Sequence, residues 1–151
     1  MDDRRLELHP QSRQREPEHR DREYGAYASV ERKFAVPWVG YARAGVANED
    51  VSRLGSYLGA GIVHEGGVLA TRDDAIGISI AHARNGAPYR QAMRDEGTAT
   101  TAAETAFELT WRVPLGEYVV LQPDVQYVLD PDTDPAIDDA LVVMLRIEAL
   151  F

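Results

Sequence analysis

The chain has 151 residues, enough for one domain, with 25 acidic against 16 basic residues and a net charge of -9 that disfavours a nucleic-acid partner. It contains no cysteine, which rules out a disulfide framework and thiolate metal ligation. No run of about eighteen apolar residues could form a membrane helix, and Met1-Asp2-Asp3-Arg4-Arg5 does not read as the start of a secretory signal. A transmembrane β-barrel is not excluded, because its strands are only half apolar.

Residues 1–23 are nearly all charged or polar, with Pro10 and Pro17 and no apolar period, and read as a disordered or extracellular-loop segment. Tyr24–Phe34 reads as a first strand, rich in tyrosine and alanine. After a short turn at Ala35-Val36, the stretch Pro37–Ala47 sets Trp38, Gly40, Ala42, Ala44 and Val46 against Val39, Tyr41, Arg43 and Gly45. A polar loop, Asn48–Leu54, leads to Gly55–Glu65, with Gly59 and Gly61 on one side and Leu58, Ala60 and Ile62 on the other. Beyond the Gly66-Gly67 turn region, Asp74–Asn85 carries Ile76, Ile78 and Ile80 on one face and only Gly77, Ser79, Ala81 and Ala83 on the other. Residues 86–101 form a long polar connection with a helical turn expected around Tyr89–Arg94.

Glu104–Leu129 reads as a two-faced β-hairpin. Glu104, Glu108, Thr110 and Arg112 share a side of the first arm opposite Phe107, Leu109, Trp111 and Val113. Gln122, Asp124 and Gln126 share a side of the second, opposite Val119, Leu121, Pro123, Val125 and Tyr127. Pro114-Leu115-Gly116 fits a three-residue connection, proline presetting the first position and glycine the left-handed one. That turn predicts Glu108 beside Gln122 and Glu104 beside Gln126. An acidic loop of 130–139 follows, expected to be solvated, and then Ala140–Phe151, with Val143, Leu145, Ile147, Ala149 and Phe151 opposite Met144, Arg146 and Glu148.

These elements predict an all-β chain of about seven antiparallel strands. Near the C-terminus the connections alternate long (130–139), short (114–116) and long (86–101), as barrel loops and turns do. Aromatics near strand ends on the apolar face (Trp38, Trp111, Tyr127), a nearly bare face on the fourth strand, and an apolar last strand ending in Phe151 favour a membrane barrel. The alternative is a soluble β-barrel or sandwich binding module with no transport role. The row Phe107, Leu109, Trp111, Leu121, Val125, Val143, Leu145 and Ile147 separates them: it faces lipid in a porin and a packed interior in a soluble domain.

The segments Tyr24-Gly-Ala-Tyr-Ala28, Gly40-Tyr-Ala-Arg-Ala-Gly45, Tyr57-Leu-Gly-Ala-Gly61, Phe107-Glu-Leu-Thr-Trp111 and Leu121-Gln-Pro-Asp-Val-Gln-Tyr127, with the ending Ala140–Phe151, resemble the C-terminal part of carbohydrate-selective porins of the OprB family. The resemblance covers 24–151 and implies a partial, open piece of an antiparallel transmembrane β-barrel of about sixteen strands. It implies a fragment of a porin for passive, carbohydrate-selective transport across the cell outer membrane into the periplasm. Its partners would be sugars as transported solutes, outer-membrane lipid and the outer-membrane barrel-assembly machinery, for which the terminal phenylalanine resembles the recognition signal.

On that reading the pore-lining set is Arg43, Glu104, Glu108, Thr110, Arg112, Gln122, Asp124, Gln126, Arg146 and Glu148, and the membrane-interface aromatics are Trp38, Trp111, Tyr127 and Phe151. Carboxylates and amides accept from sugar hydroxyls, and guanidinium groups donate to them. Catalysis is not expected. Glu104 and Glu108, four residues apart on one strand face, stand about 13 Å apart, beyond the roughly 5–9.5 Å of glycosidase pairs. His9, His19, His64 and His82 show no metal spacing, the acidic loop lacks the EF-hand glycine and terminal glutamate, and no glycine run precedes a helix. No cofactor is expected.

Overall fold

The computed structural model describes residues 24–67, 73–149 and 151; the expectation for residues 1–23 lies outside them. The described chain is one seven-stranded sheet in which every strand pairs with its sequence neighbour, antiparallel throughout. The strands are β1 (Gly25–Ala35), β2 (Trp38–Ala47), β3 (Leu54–Glu65), β4 (Ala75–Asn85), β5 (Ala103–Leu115), β6 (Val119–Leu129) and β7 (Ala140–Ala149). Their lengths of 10–13 residues match the roughly 9–11 needed to cross a bilayer on a tilt. β1 and β7 are the free edges and run in the same direction, so antiparallel closure of the sheet needs an odd number of further strands.

No second layer covers the sheet among the described residues, and only Val39, Val113 and Val120 are buried hydrophobics. A soluble sandwich would place its large aliphatic side chains between two layers. Here Leu58 is 60% exposed, Ile78 58%, Val143 71% and Ile147 64%, so among the described residues nothing lies against the apolar face.

The connections β1–β2, β3–β4 and β5–β6 lie at one end of the sheet, the turn end, and β2–β3, β4–β5 and β6–β7 at the other, the loop end. Within β4–β5 the expected helical turn is a full helix, α1 (Ala87–Asp95). Pro88 lies in its first turn, and Glu49 Oε2 accepts from the Ala87 N–H at 2.9 Å.

The hairpin corrects one expectation. Its connection is Gly116-Glu117-Tyr118, not Pro114-Leu115-Gly116. Gly116, at φ 74°, opens the turn, and Pro114 stays in the ladder opposite Val120. The register is therefore Glu108↔Gln126 and Thr110↔Asp124. The slip is even, so every side chain keeps its predicted face.

In the acidic loop Asp132, Asp138 and Asp139 are exposed, but its first turn is ordered. Asp130, Asp132 and Thr133 adopt left-handed backbone around a 3₁₀ turn at Pro131–Thr133, and Thr133 is buried. That turn sits against the loop end of β5, with Thr133 inward and Asp132 outward.

Candidate pore wall

Cross-strand pairing turns the period-two pattern of each strand into rows spanning the sheet. One polar-face row runs Glu31–Tyr41–Gly61–Ser79–Glu108–Gln126–Val142, and the next Lys33–Val39–Val63–Gly77–Thr110–Asp124–Met144. All ten predicted polar residues fall on this face. Arg43 stands in the row Ser29–Arg43–Gly59–Ala81–Ala106, Glu104 opposite Ala83, Arg112 opposite Ala75, Arg146 opposite Gln122 and Glu148 opposite Val120. They do not form one cluster. Arg43 is three strands from β5, and Glu104 at the loop end is engaged by the Asp132 N–H at 2.6 Å.

The polar groups that meet are on β5, β6 and β7. Gln126 Nε2 donates to Glu108 Oε2 at 3.3 Å, and Gln122 Nε2 donates to Thr110 Oγ1 at 3.0 Å. These cross-strand bonds brace β6 against β5 above and below Asp124. Asp124 is 9% exposed, and its Oδ1 has no protein partner. With Glu108, Gln122, Gln126, Met144 and Arg146 it lines a groove of about 440 Å³.

On β2 and β3 the polar face is shaped by tyrosines lying across glycines. A Cβ at Gly61 would stand 2.5 Å from Tyr41 Cε1, and one at Gly59 2.7 Å from the Tyr57 hydroxyl, so glycine is what lets the rings lie against the backbone. The Arg43 guanidinium sits 5.1 Å from the Tyr41 ring centroid. Between these tyrosines and the β5–β6 polar groups lies the bare floor of β4: Gly77, Ser79, Ala81 and Ala83. Sequence reasoning missed Tyr27, Ser29, Glu31 and Lys33 of β1 as members of this face, although the same alternation against Ala26, Ala28, Val30 and Arg32 was present to find them.

At the loop end the three connections are tied together by Arg53. Its side chain donates to Asn85 Oδ1 at 3.3 Å, Asp132 Oδ1 at 2.6 Å, Thr133 Oγ1 at 3.0 Å and the Asp132 carbonyl, and it stacks on Tyr89. Asn85, 1% exposed, donates to Thr133 Oγ1 at 2.7 Å, and the Thr101 N–H donates to the Thr133 carbonyl at 2.8 Å. No sequence signal marked this cluster.

The opposite face is apolar. One row is Val30–Ala42–Ala60–Ile80–Phe107–Tyr127–Leu141, the next Arg32–Gly40–Ile62–Ile78–Leu109–Val125–Val143. Trp38, His64, Ile76 and Trp111 form a third. Trp38 packs edge-on against His64 with centroids 4.7 Å apart, and Trp111 Nε1 donates to the buried Asp74 at 3.2 Å. Toward the loop end, the Tyr127 hydroxyl donates to Asp139 Oδ2 at 2.9 Å, and His82 Nδ1 meets Thr105 Oγ1 at 2.8 Å. The polar tips of Trp111, Tyr127 and His82 are thus bonded while their rings stay on the apolar face. Phe151 is fully exposed beyond β7.

A family model described as "Carbohydrate-selective porin, OprB family" matches residues 1–151. Among solved structures, the high-pH structure of Pseudomonas putida OprB matches with a TM-score of 0.68 at 20% identity, over 76% of this chain and 30% of that one. The chain thus spans less than a third of the porin it resembles. No curated protein matches it significantly.

Proposed function

Since the chain belongs to the OprB family of carbohydrate-selective porins, we propose that its sheet forms part of the wall of an outer-membrane pore through which sugars diffuse passively into the periplasm. The role is transport, not catalysis, and calls for no cofactor. The observation that carries it is the single uncovered sheet with an exposed aliphatic face and a hydrogen-bonded polar face. Such a sheet suits a solvent that is hydrocarbon on one side and water on the other.

In this reading the apolar rows meet lipid, Trp38, Trp111, Tyr127 and Phe151 sit at the membrane interfaces, and the ending Ala140–Phe151 is what the barrel-assembly machinery recognises. The lumen receives Arg43, Glu104, Glu108, Thr110, Arg112, Gln122, Asp124, Gln126, Arg146 and Glu148. The free edges of β1 and β7 are completed by further strands of the barrel. Seven strands alone do not enclose a channel, so the chain by itself should give little or no sugar flux in liposome swelling.

Orientation is tested by reconstituting the chain in vesicles whose acyl chains carry bromine. Trp38 and Trp111 fluorescence should be quenched by the bromolipid and shielded from aqueous acrylamide. Free quenching by acrylamide with none by bromolipid would place the indoles in water and end the porin reading.

A further inference from the structure

Among the described residues, the strands place two arginines on the apolar face, Arg32 on β1 and Arg84 on β4, and no carboxylate. Arg32 stands on a free edge, whereas β4 is the central strand with three strands on either side. Arg84 is exposed and, among the described residues, makes no hydrogen bond or ion pair. Its neighbours on that face are Ser56 and Ala103 across the ladder and His82 two residues along. Arg84 lies eight residues from Ile76, in the row of the two tryptophans, which is about 26 Å along the strand and about 20 Å of depth at a tilt near 40°. The apolar band of a membrane barrel is about 25 Å tall, so a long side chain brings the guanidinium to headgroup level, where a cation costs little.

Two hollows open on the same face on the turn side of Arg84. One, of about 560 Å³, is lined by Val30, Ala42, Ala44 and Leu58. The other, of about 680 Å³, is lined by Ile62, Phe107 and Leu109. They meet at Ala60 and Ile80, which line both, and Ile80 is four residues from Arg84, about 13 Å along the strand.

Resting on the reading above that this face meets lipid, we infer that Arg84 and the two hollows form a site for a two-chain anionic phospholipid in the leaflet at the loop end. The guanidinium takes the phosphate, whose oxygens it can meet with two parallel N–H···O bonds. One acyl chain lies in each hollow, the two parting at Ile80. The hollows suit the chains of any phospholipid, so the headgroup is chosen by charge. A zwitterionic head brings an ammonium group, and no strand carries a carboxylate on this face to receive it. An anionic head without an ammonium meets the guanidinium alone. The chain's net charge of -9 repels an anionic surface in general, so a preference for anionic lipid here comes from the local cation and not from the overall field.

The chain has no cysteine, so Ser56→Cys or Ala103→Cys carries a single bimane label beside Arg84. The full 151-residue chain is reconstituted in phosphatidylcholine vesicles containing a small fraction of nitroxide-labelled phosphatidylglycerol or nitroxide-labelled phosphatidylcholine. Half quenching of the bimane should need at least about fivefold less of the phosphatidylglycerol. Unlabelled phosphatidylglycerol should reverse the quenching, and inorganic phosphate should not. Arg84→Gln should bring the two lipids level, and Ala44→Phe, which fills the first hollow, should raise the amount of phosphatidylglycerol needed. Arg32→Gln, on the same face outside the site, should keep the full preference. Equal quenching by the two lipids, a preference that survives Arg84→Gln, no effect of Ala44→Phe, or reversal by inorganic phosphate would overturn the site and leave the pore reading standing. A label that neither lipid quenches would overturn the pore reading itself.

Discussion

Replacing Leu109 by arginine puts the orientation of the sheet at direct risk. Leu109 is the central residue of the 13-residue β5, paired between Ile78 and Val125, and is 46% exposed with no protein over it. If lipid covers that surface, the contact recovers roughly half of the 1.5–3 kcal/mol that full burial of a leucine contributes, or about 1 kcal/mol. Arginine forfeits this and adds about 2–4 kcal/mol for a cation near the bilayer midplane. The folded population should fall by a factor of at least about 100. Thr110→Arg, one residue along, changes a side chain of nearly the same depth on the polar face, and its cost should stay below about 1 kcal/mol. Urea titration of folding in vesicles, followed by tryptophan fluorescence and heat-modifiable gel mobility, measures both. Equal losses for the two variants, or a loss for Leu109→Arg within about 0.5 kcal/mol of zero, the usual range for a solvated surface, would refute the assignment of this face to lipid.

Two further perturbations address how the polar face and its mouth are built. Gly61→Val puts a branched side chain where the Tyr41 ring lies and should destabilise by about 1–3 kcal/mol through overpacking. Tyr41→Ala in the same background should recover most of that loss, and failure to recover it in urea titration would mean that the glycine is there for another reason. Arg53→Ala removes the donor to Asn85 Oδ1 and the tie to Asp132 and Thr133, which should expose an unmet buried acceptor worth about 1–3 kcal/mol. Hydrogen exchange at the Thr101 amide, which donates to Thr133, should then quicken by roughly tenfold to a hundredfold. Unchanged exchange would mean that the loops dock without the arginine.

Much of this architecture was legible because side-chain alternation survives errors in pairing. The turn at Pro114-Leu115-Gly116 was placed two residues early, yet Glu108, Thr110, Gln122, Asp124 and Gln126 came out on their observed face, since only an odd slip exchanges the two faces of a strand. The turn itself was misread because proline and glycine each fit more than one position. Pro114 has no N–H to give and is tolerated within the ladder, while Gly116 supplies positive φ at the start of the turn instead of its end. The loop-end cluster was illegible for a different reason. Arg53 and Asp132 lie 79 residues apart in polar segments without periodicity, and their contact depends on three loops arriving at one place. The same limit applies to Asp124. Alternation put it on the polar face, but only the register places it between the cross-strand bonds of Gln122 and Gln126. A strand pattern therefore tells which side chains share a wall, and the register tells which of them meet across it.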